Sequence, residues 1–121
     1  ISNNDTSVIF ISSVLGGLGM IGKVGYCSTK SAILGIVKSA SLELAKRKIR
    51  VNAISPGVVM TPMTEDLFVN ISKENTRIKE MHPLGIGKVE NITPSILFLL
   101  SNQSTWITGQ NIKIDGGYSV Q

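Results

Sequence analysis

Apolar residues lie along the chain in short blocks that alternate between a strand-like and a helix-like pattern. One block, Val8 to Ser12, is almost continuously apolar and rich in β-branched residues, as in a strand covered on both faces. A second block, Ile49 to Ser55, predicts a second strand. A third block, Asn111 to Asp115, predicts a last strand. Because helical segments separate the three strands, we expect them to form a parallel sheet.

Two segments have the three- and four-residue spacing of apolar positions that is typical of an amphipathic helix. They run from about Val24 to Lys48 and from about Val89 to Ser101. The positions expected to be buried are Ile33, Ile36, Val37, Ala40 and Leu44 in the first helix and Ile92, Ile96, Leu97, Leu99 and Leu100 in the second. The alternation of strands and helices predicts an α/β fold, the second half of a Rossmann-like, doubly wound parallel sheet with three α/β/α layers.

The remaining segments are predicted to be loops and a polar helical region. Residues 2 to 7 are polar, as in a loop that enters a strand. Residues 16 to 25 contain five glycines, which suits a loop that approaches a ligand closely. From Thr64 to Met81 the chain is polar and helical with scattered apolar residues, namely Leu67, Phe68, Ile71, Ile78 and Met81. This region is either a mobile lid over an apolar substrate or an ordinary pair of surface helices.

Composition indicates that more apolar surface is present than a chain of this size easily covers. Of the 121 residues, 42% are hydrophobic and 5% are aromatic. Since the first residue is Ile1 and a buried strand begins almost at once, we interpret the chain as the carboxyl-terminal half of a single longer domain. The sequence has no secretory leader and no apolar run near the ~18 residues of a membrane span, so we expect a soluble protein of the cytoplasm.

Charge and cysteine content exclude several classes of function. The net charge is +4, and the basic residues are dispersed except for Lys46-Arg47-Lys48, which complement the dipole at a helix C-terminus. That pattern does not favour nucleic acid as a partner. One cysteine and one histidine offer neither a disulfide nor a metal cluster. We interpret Cys27 as a packing residue, and His82 as a surface or lid residue rather than a general base.

The strongest chemical signal is the pair Tyr26 and Lys30, which lie four residues apart and therefore share one face of the first helix. A free phenol is a poor proton donor or acceptor at neutral pH unless a nearby positive charge stabilises the phenolate. Lys30 is placed to supply that charge. Ser13 follows the first strand, and in parallel sheets ligands bind at the carboxyl ends of strands.

A second set of residues follows the second strand, where Pro56-Gly57 ends the strand and Thr61 comes shortly after. Together with Ser13 and the Tyr-x-x-x-Lys pair, this pattern resembles the short-chain dehydrogenase/reductase family, and within it the 3-oxoacyl-acyl-carrier-protein reductase group. The resemblance covers about Val8 to Tyr118. A glycine fingerprint for dinucleotides, which Gly17, Gly19 and Gly22 match in spacing, is rejected because the helix begins late and no ribose-binding acid follows.

The resemblance implies that Tyr26 is the general acid in carbonyl reduction, that Ser13 holds the carbonyl oxygen, and that Lys30 assists the phenol. It also implies a nicotinamide cofactor, NADP or NAD with NADP preferred. The cofactor-binding residues would be Tyr26, Lys30, Pro56, Gly57, Val59 and Thr61. Where the family usually has an arginine, this sequence has Ile86, so the ion pair expected there is in doubt.

Parts of the family's apparatus and its partners are implied as well. The glycine-rich fingerprint, the residue that selects NAD or NADP, and a catalytic asparagine would all precede Ile1. The substrate would be a small molecule or an acyl thioester of fatty acid synthesis, with acyl carrier protein docking near Arg47. The small residues Ala32, Gly35, Ser39 and Ala40 suit a homodimer or homotetramer in which the first long helix packs against its copy.

Two alternatives remain open. The same chemistry could act on another substrate in an alcohol, sugar or steroid dehydrogenase, because the lid residues are not diagnostic. The fold could instead belong to a non-catalytic nucleotide-sensing or scaffold protein, although that function would be favoured by loss of Ser13, Tyr26 or Lys30, and all three are present.

We expect residues 1 to 121 alone to bind NADPH only weakly, because the phosphate-binding turn would lie in the missing half. Isothermal titration calorimetry on the 121-residue chain measures this affinity. Tight binding would show that the interpretation as half a domain is wrong.

Overall fold

A computed structural model describes residues 6–70 and 72–121. Within these residues, three strands and four α-helices follow one another. They are β1 (Thr6–Ile11), α1 (Val24–Ala45), β2 (Ile49–Pro56), α2 (Asp66–Val69), α3 (Lys73–Glu80), α4 (Val89–Leu100) and β3 (Asn111–Ile114). Of the predicted loop at residues 2 to 7, residues 2 to 5 lie outside the described residues, and Thr6 and Ser7 already belong to β1. Ile71, predicted as an apolar lid position, also lies outside them.

The sheet has the strand order β1-β2-β3, and both pairs of strands are parallel. In the register of the first pair, Ile11 lies opposite Ile54. The carboxyl ends of β1 and β2 therefore lie side by side at one edge of the sheet. This parallel sheet with helical crossovers confirms the predicted fold class.

Two apolar clusters lie on opposite faces of the sheet. The first contains Val37 of α1 with Val51 and Ala53 of β2. The second contains Ile54 of β2 with Ile92 and Leu99 of α4. Since successive residues of a strand point to opposite faces, Ala53 and Ile54 carry the two clusters and β2 forms the middle of an α/β/α arrangement.

Three apolar positions expected to be buried are exposed instead. Ile36 is 49% exposed, Leu97 is 61% exposed and Leu100 is 50% exposed. Ile36 and Leu100 each lie one residue from a buried neighbour, Val37 and Leu99, and Leu97 follows the half-buried Ile96. A step of one residue rotates a side chain about 100° around the helix. The contact with the sheet is limited to narrower stripes, formed by Ile33, Val37, Ala40 and Leu44 in α1 and by Ile92, Ile96 and Leu99 in α4.

The ends of two predicted helical segments also differ from expectation. Helix α1 ends at Ala45 rather than Lys48, because Lys48 has a φ of 58° in the left-handed region. The region from Thr64 to Met81 is not one continuous helix, since Asn70 is extended and separates α2 from α3. In residues 6–70 and 72–121, no helix has the length and apolar character that crossing a membrane requires.

Candidate active site

The loop after β1 holds Ser13 in a fixed position. Ser13 is 8% exposed and caps the short helical turn Val14–Gly16, with its Oγ accepting the N–H of Leu15 at 3.2 Å. Since Oγ accepts in this bond, its own hydroxyl hydrogen remains available for another acceptor. Ser13 can therefore donate to a substrate oxygen while its backbone stays anchored.

This loop is attached to the second turn of α1 by two hydroxyl groups and a glycine. Ser12 Oγ donates to the carbonyl oxygen of Lys30 at 2.9 Å, and Ser31 Oγ donates to that of Gly16 at 2.7 Å. A Cβ on Gly16 would lie 2.5 Å from Ser12 Oγ and 2.9 Å from the oxygen of Lys30, so only glycine fits there. These contacts bring Ser13 next to the turn that carries the Tyr-x-x-x-Lys pair.

Tyr26 and Lys30 lie together on α1, as the four-residue spacing predicts. The Nζ of Lys30 is 5.7 Å from the centroid of the Tyr26 ring and donates to the carbonyl oxygen of Ile11 at 3.2 Å. The Tyr26 side chain is 43% exposed and thus accessible to a substrate. The ammonium group of Lys30 thus lies within the range of a cation–π contact with the Tyr26 ring.

The end of β2 is packed more tightly than its sequence indicates. Gly57 donates its N–H to Ile114 at 3.0 Å. A Cβ on Gly57 would lie 2.9 Å from the Cα of Asp115 and 2.9 Å from His82 Nε2. The prediction that His82 is a surface or lid residue is wrong, because its side chain is 3% exposed and packs against the end of β2.

The segment after Gly57 presents main-chain groups to the same edge. Gly87 bridges it in parallel by donating to the oxygen of Val58 at 3.0 Å and accepting from the N–H of Met60 at 2.9 Å. In such a bridge, the N–H and C=O of the residue between them, Val59, point away from Gly87. The Val59 oxygen accepts from Thr64 Oγ1, which also lies 3.3 Å from Thr61 Oγ1.

These residues fit a nicotinamide nucleotide. An amide such as the nicotinamide carboxamide needs main-chain and hydroxyl partners, and Val59 and Thr61 supply them at the carboxyl edge of β2. Lys30 has three N–H groups, of which one binds Ile11, so the others can reach ribose hydroxyls. In the described part of the chain, no group of three or more His, Cys, Asp or Glu side chains could hold a metal ion.

Asp115 at the end of β3 organises the carboxyl-terminal turn. Burial acts to raise the pKa of Asp115, but hydrogen bonds from Ser119 and from the N–H of Gly117, together with the charge of Lys113, outweigh it and lower the pKa below 3.8. The two carboxylate oxygens accept from the N–H groups of Gly117 and Ser119, each at 3.0 Å. The ionised form is therefore the one that holds the turn together.

The structure brings the predicted residues together in two groups at one edge of the sheet. Ser13, Tyr26 and Lys30 form the group beside β1, and Pro56, Gly57, Val59 and Thr61 form the group after β2. Sequence reasoning missed the roles of Ser12, Ser31, His82 and Asp115. The Ser12-Ser13 pair was a usable signal, whereas the partners of His82 and Asp115 lie on other elements. Cys27 is half-buried in the first turn of α1.

Comparison with known families identifies the arrangement. A family model described as enoyl-(acyl carrier protein) reductase matches residues 1–119. The chain belongs to the short-chain dehydrogenase/reductase family. This finding and the parallel sheet agree with the resemblance drawn from the Ser, Tyr-x-x-x-Lys and Pro-Gly motifs.

Within the short-chain dehydrogenase/reductase family, the chain is similar to 3-oxoacyl-acyl-carrier-protein reductase FabG of Thermotoga maritima, with 42% identity over 118 residues. These residues are 97% of this chain and 47% of that protein. The chain thus spans about half the length of the curated relatives that it matches.

Two solved dehydrogenase structures have the same fold. A protein of Agrobacterium tumefaciens, titled as a 2-deoxy-D-gluconate 3-dehydrogenase with bound NADP, has a TM-score of 0.91 and 32% identity over 97% of this chain and 48% of its own. A 4-hydroxyisoleucine dehydrogenase complexed with NADH has a TM-score of 0.89 and 37% identity over 95% of this chain and 47% of its own. The neighbours thus bind nicotinamide cofactors of both kinds.

We expect Asp115→Asn to lower the free energy of unfolding at neutral pH, because the amide keeps only one acceptor for the N–H groups of Gly117 and Ser119. The folded pKa of Asp115 is lowered, so its stabilising contribution is complete above the unfolded pKa of ~3.9 and is lost as the pH falls through the folded value. Urea unfolding from pH 7 to below pH 4 should show the gap between parent and variant closing at the acid end.

Glu43→Gln, on the exposed surface of α1, is the matched control for loss of one carboxylate. It should change the unfolding midpoint little at neutral pH. A gap for Asp115→Asn that stays constant across the whole pH range would contradict the role given to the ionised carboxylate.

Proposed function

We propose that the protein is a nicotinamide-dependent oxidoreductase that reduces 3-oxoacyl thioesters in fatty acid biosynthesis, with Ser13, Tyr26 and Lys30 as its catalytic residues. The observation that carries the proposal is the proximity of Lys30 to the Tyr26 ring, beside the loop that holds Ser13. Similarity to the Thermotoga maritima reductase supports the choice of substrate. We also propose that the protein is located in the cytoplasm.

In the proposed reaction the side chains supply position and a proton. Ser13 donates a hydrogen bond to the carbonyl oxygen of the substrate, and Tyr26 gives its phenol proton to that oxygen as it becomes an alcohol. When bound, a reduced nicotinamide supplies the hydride for the carbonyl carbon. Lys30 stabilises the phenolate that remains on Tyr26.

The cofactor would be held at the carboxyl edge of the sheet. Val59 main-chain groups and the Thr61 hydroxyl would hold the carboxamide, while Pro56 and Gly57 would form the wall beside it. Lys30, together with Tyr26, would contact the nicotinamide ribose. NADP is the preferred cofactor, supported by the NADP-bound Agrobacterium neighbour, and NAD is the alternative, supported by the NADH-bound dehydrogenase.

The segment from Thr64 to Met81 is proposed to cover an apolar acyl chain. Met63, directly before it, is 88% exposed, and Phe68 of α2 lies under Lys79 of α3, with Nζ 5.7 Å from the ring centroid. This contact joins the two short helices into one unit. The alternative is an ordinary pair of surface helices.

A second substrate class is kept because one neighbour favours it. Similarity to the protein titled as a 2-deoxy-D-gluconate 3-dehydrogenase supports oxidation of a sugar acid, and alcohols and steroids belong to the same class of alternatives. The full-length protein should be assayed with acetoacetyl thioesters, sugar acids and simple secondary alcohols. A preference of at least tenfold in kcat/KM for the thioester supports the proposal.

Docking of acyl carrier protein near Arg47 is also proposed. Lys46, Arg47 and Lys48 are all exposed directly after α1 and can receive an acidic partner. The non-catalytic alternative, a nucleotide-sensing or scaffold protein of the same fold, predicts cofactor binding without turnover in the same assays.

Tyr26→Phe should reduce turnover by about 10² to 10⁴ while leaving cofactor affinity largely intact, because it removes the proton donor but keeps the ring and the ribose contact of Lys30. Steady-state reduction of an acetoacetyl thioester with NADH and NADPH measures the rate, and calorimetry measures the affinity. Near-parental turnover would show that the phenol is only a surface group of α1.

Lys30→Ala should lower turnover and nucleotide affinity together, since it removes both the charge beside the phenol and the contact with the ribose. Lys38→Ala, on the exposed surface of the same helix, is the matched control and should change neither quantity. Loss of turnover with unchanged nucleotide affinity would contradict the ribose contact.

We also propose a homodimer or homotetramer in which α1 packs against its copy. Gly35 has no atom within 4 Å of an added Cβ, and Leu42 is 78% exposed, so this side of the helix is open for close approach. Light scattering coupled to size exclusion should give two or four copies at micromolar concentration, and Gly35→Arg should reduce that number. A monomeric parent protein would refute this assembly.

A further inference from the structure

His82 lies at the base of α3, and both of its ring nitrogens make hydrogen bonds. Nε2 accepts the N–H of Val58 at 3.0 Å, and Nδ1 lies 2.7 Å from the carbonyl oxygen of Ile78 in the last turn of α3. The side chain is 3% exposed, and its ring packs against that of Tyr118 with 4.9 Å between centroids. A ring with both nitrogens occupied cannot act as a general base without losing one of these contacts.

The partners determine which nitrogen carries the proton. The Val58 N–H is a donor, so Nε2 must be unprotonated, whereas the Ile78 carbonyl oxygen is an acceptor, so Nδ1 must carry the hydrogen. The ring is thus the neutral Nδ1–H tautomer. In this form the ring joins Val58, which lies 24 residues before His82 in the chain, to Ile78 in the last turn of α3.

The segment that His82 reaches is the one proposed to hold the carboxamide. Val58 directly precedes Val59. The carbonyl oxygen of Val58 accepts the N–H of Gly87, and the N–H of Val58 donates to His82 Nε2. Gly57 directly precedes Val58, and a Cβ on Gly57 would lie too close to His82 Nε2. The path of the chain from Gly57 to Thr61 is therefore set by His82 on one side and by Gly87 on the other.

We propose that His82 is a positioning residue, which links the end of α3 to Val58 and so fixes the main chain at Val59 and Thr61 for nicotinamide binding. The part that concerns the nucleotide rests on the proposed function. The link itself stands on the two hydrogen bonds and the buried ring. It also connects α3, in the proposed lid from Thr64 to Met81, to the wall of the cofactor site.

Two conservative variants separate the two nitrogen contacts. His82→Gln places an amide oxygen near the position of Nε2 and can keep the bond from Val58, but it loses the donor to Ile78. His82→Asn places an amide group near the position of Nδ1 and can keep the donor to Ile78, but it leaves the buried Val58 N–H without an acceptor. The pair is matched in polarity, and neither residue can titrate.

The test combines amide hydrogen exchange without nucleotide and calorimetry with NADPH and NADH, on the full-length protein. In His82→Asn, the Val58 amide should exchange about tenfold faster and the nucleotide should bind about tenfold more weakly, which is the size of one hydrogen bond. In His82→Gln, the exchange rate of the Val58 amide and the nucleotide affinity should both stay within about twofold of the parent. The amides of Met81 and of residue 82, directly after α3, should exchange faster than in the parent.

The outcomes separate this proposal from the function on which it partly rests. If the two variants behave alike at Val58, or if the Asn variant exchanges faster but binds nucleotide as the parent does, His82 is not a positioning residue. A parent protein that binds neither NADPH nor NADH refutes the proposed function instead. A uniform rise in exchange throughout both variants would show a purely structural role and would also overturn the proposal.

Discussion

The structure depends on the burial of β2 between two parallel neighbours. Residues Arg50 to Ser55 are all buried, although three of them are polar, and a buried polar group is costly unless it is hydrogen-bonded. Asn52 satisfies this requirement by donating to the carbonyl oxygen of Ile107 at 2.9 Å and accepting from the N–H of Gln110 at 3.0 Å. The loop that returns the chain to β3 is therefore held by a side chain of the central strand.

Arg50, two residues before Asn52 in the same strand, shows the same principle. Its guanidinium donates to the carbonyl oxygens of Leu99 and Ser101 and to Ser104 Oγ, at 2.8, 3.3 and 2.9 Å. The two carbonyl oxygens lie at the C-terminal end of α4, where the helix leaves carbonyl groups unpaired and carries partial negative charge, and Ser104 lies in the turn that follows. A buried cation is thus stabilised by a helix end, and α4 is fixed in position over the sheet.

With the crossover from β2 to β3 fixed in this way, the site follows from the direction of the strands. The carboxyl ends of β1 and β2 lie side by side, so the loop with Ser13 and the segment with Val59 emerge at one edge. The hydroxyl bond from Ser12 to the Lys30 carbonyl oxygen then brings the first turns of α1 to that edge. The side chains of Ser13, Tyr26 and Lys30 and the main-chain groups of Val59 thereby lie at the same edge of the sheet.

The sequence by itself determined the features that depend on residues close together in the chain. The alternation of strands and helices and the proximity of Tyr26 to Lys30 follow from local periodicity, which is set by backbone geometry. Periodicity predicted only part of the buried stripes Ile33 to Leu44 and Ile92 to Leu99. It locates the apolar face of each helix, but it does not give the width of the contact between that face and the sheet.

Only the tertiary structure decided the surroundings of His82, the width of the helix contacts and the ionised turn at Asp115. His82 is isolated in sequence, and its partners Val58 and Tyr118 come from elements that are adjacent only after the sheet has formed. Its burial could not be read from neighbours in the chain, because the free energy of a buried polar group depends on partners that the fold supplies.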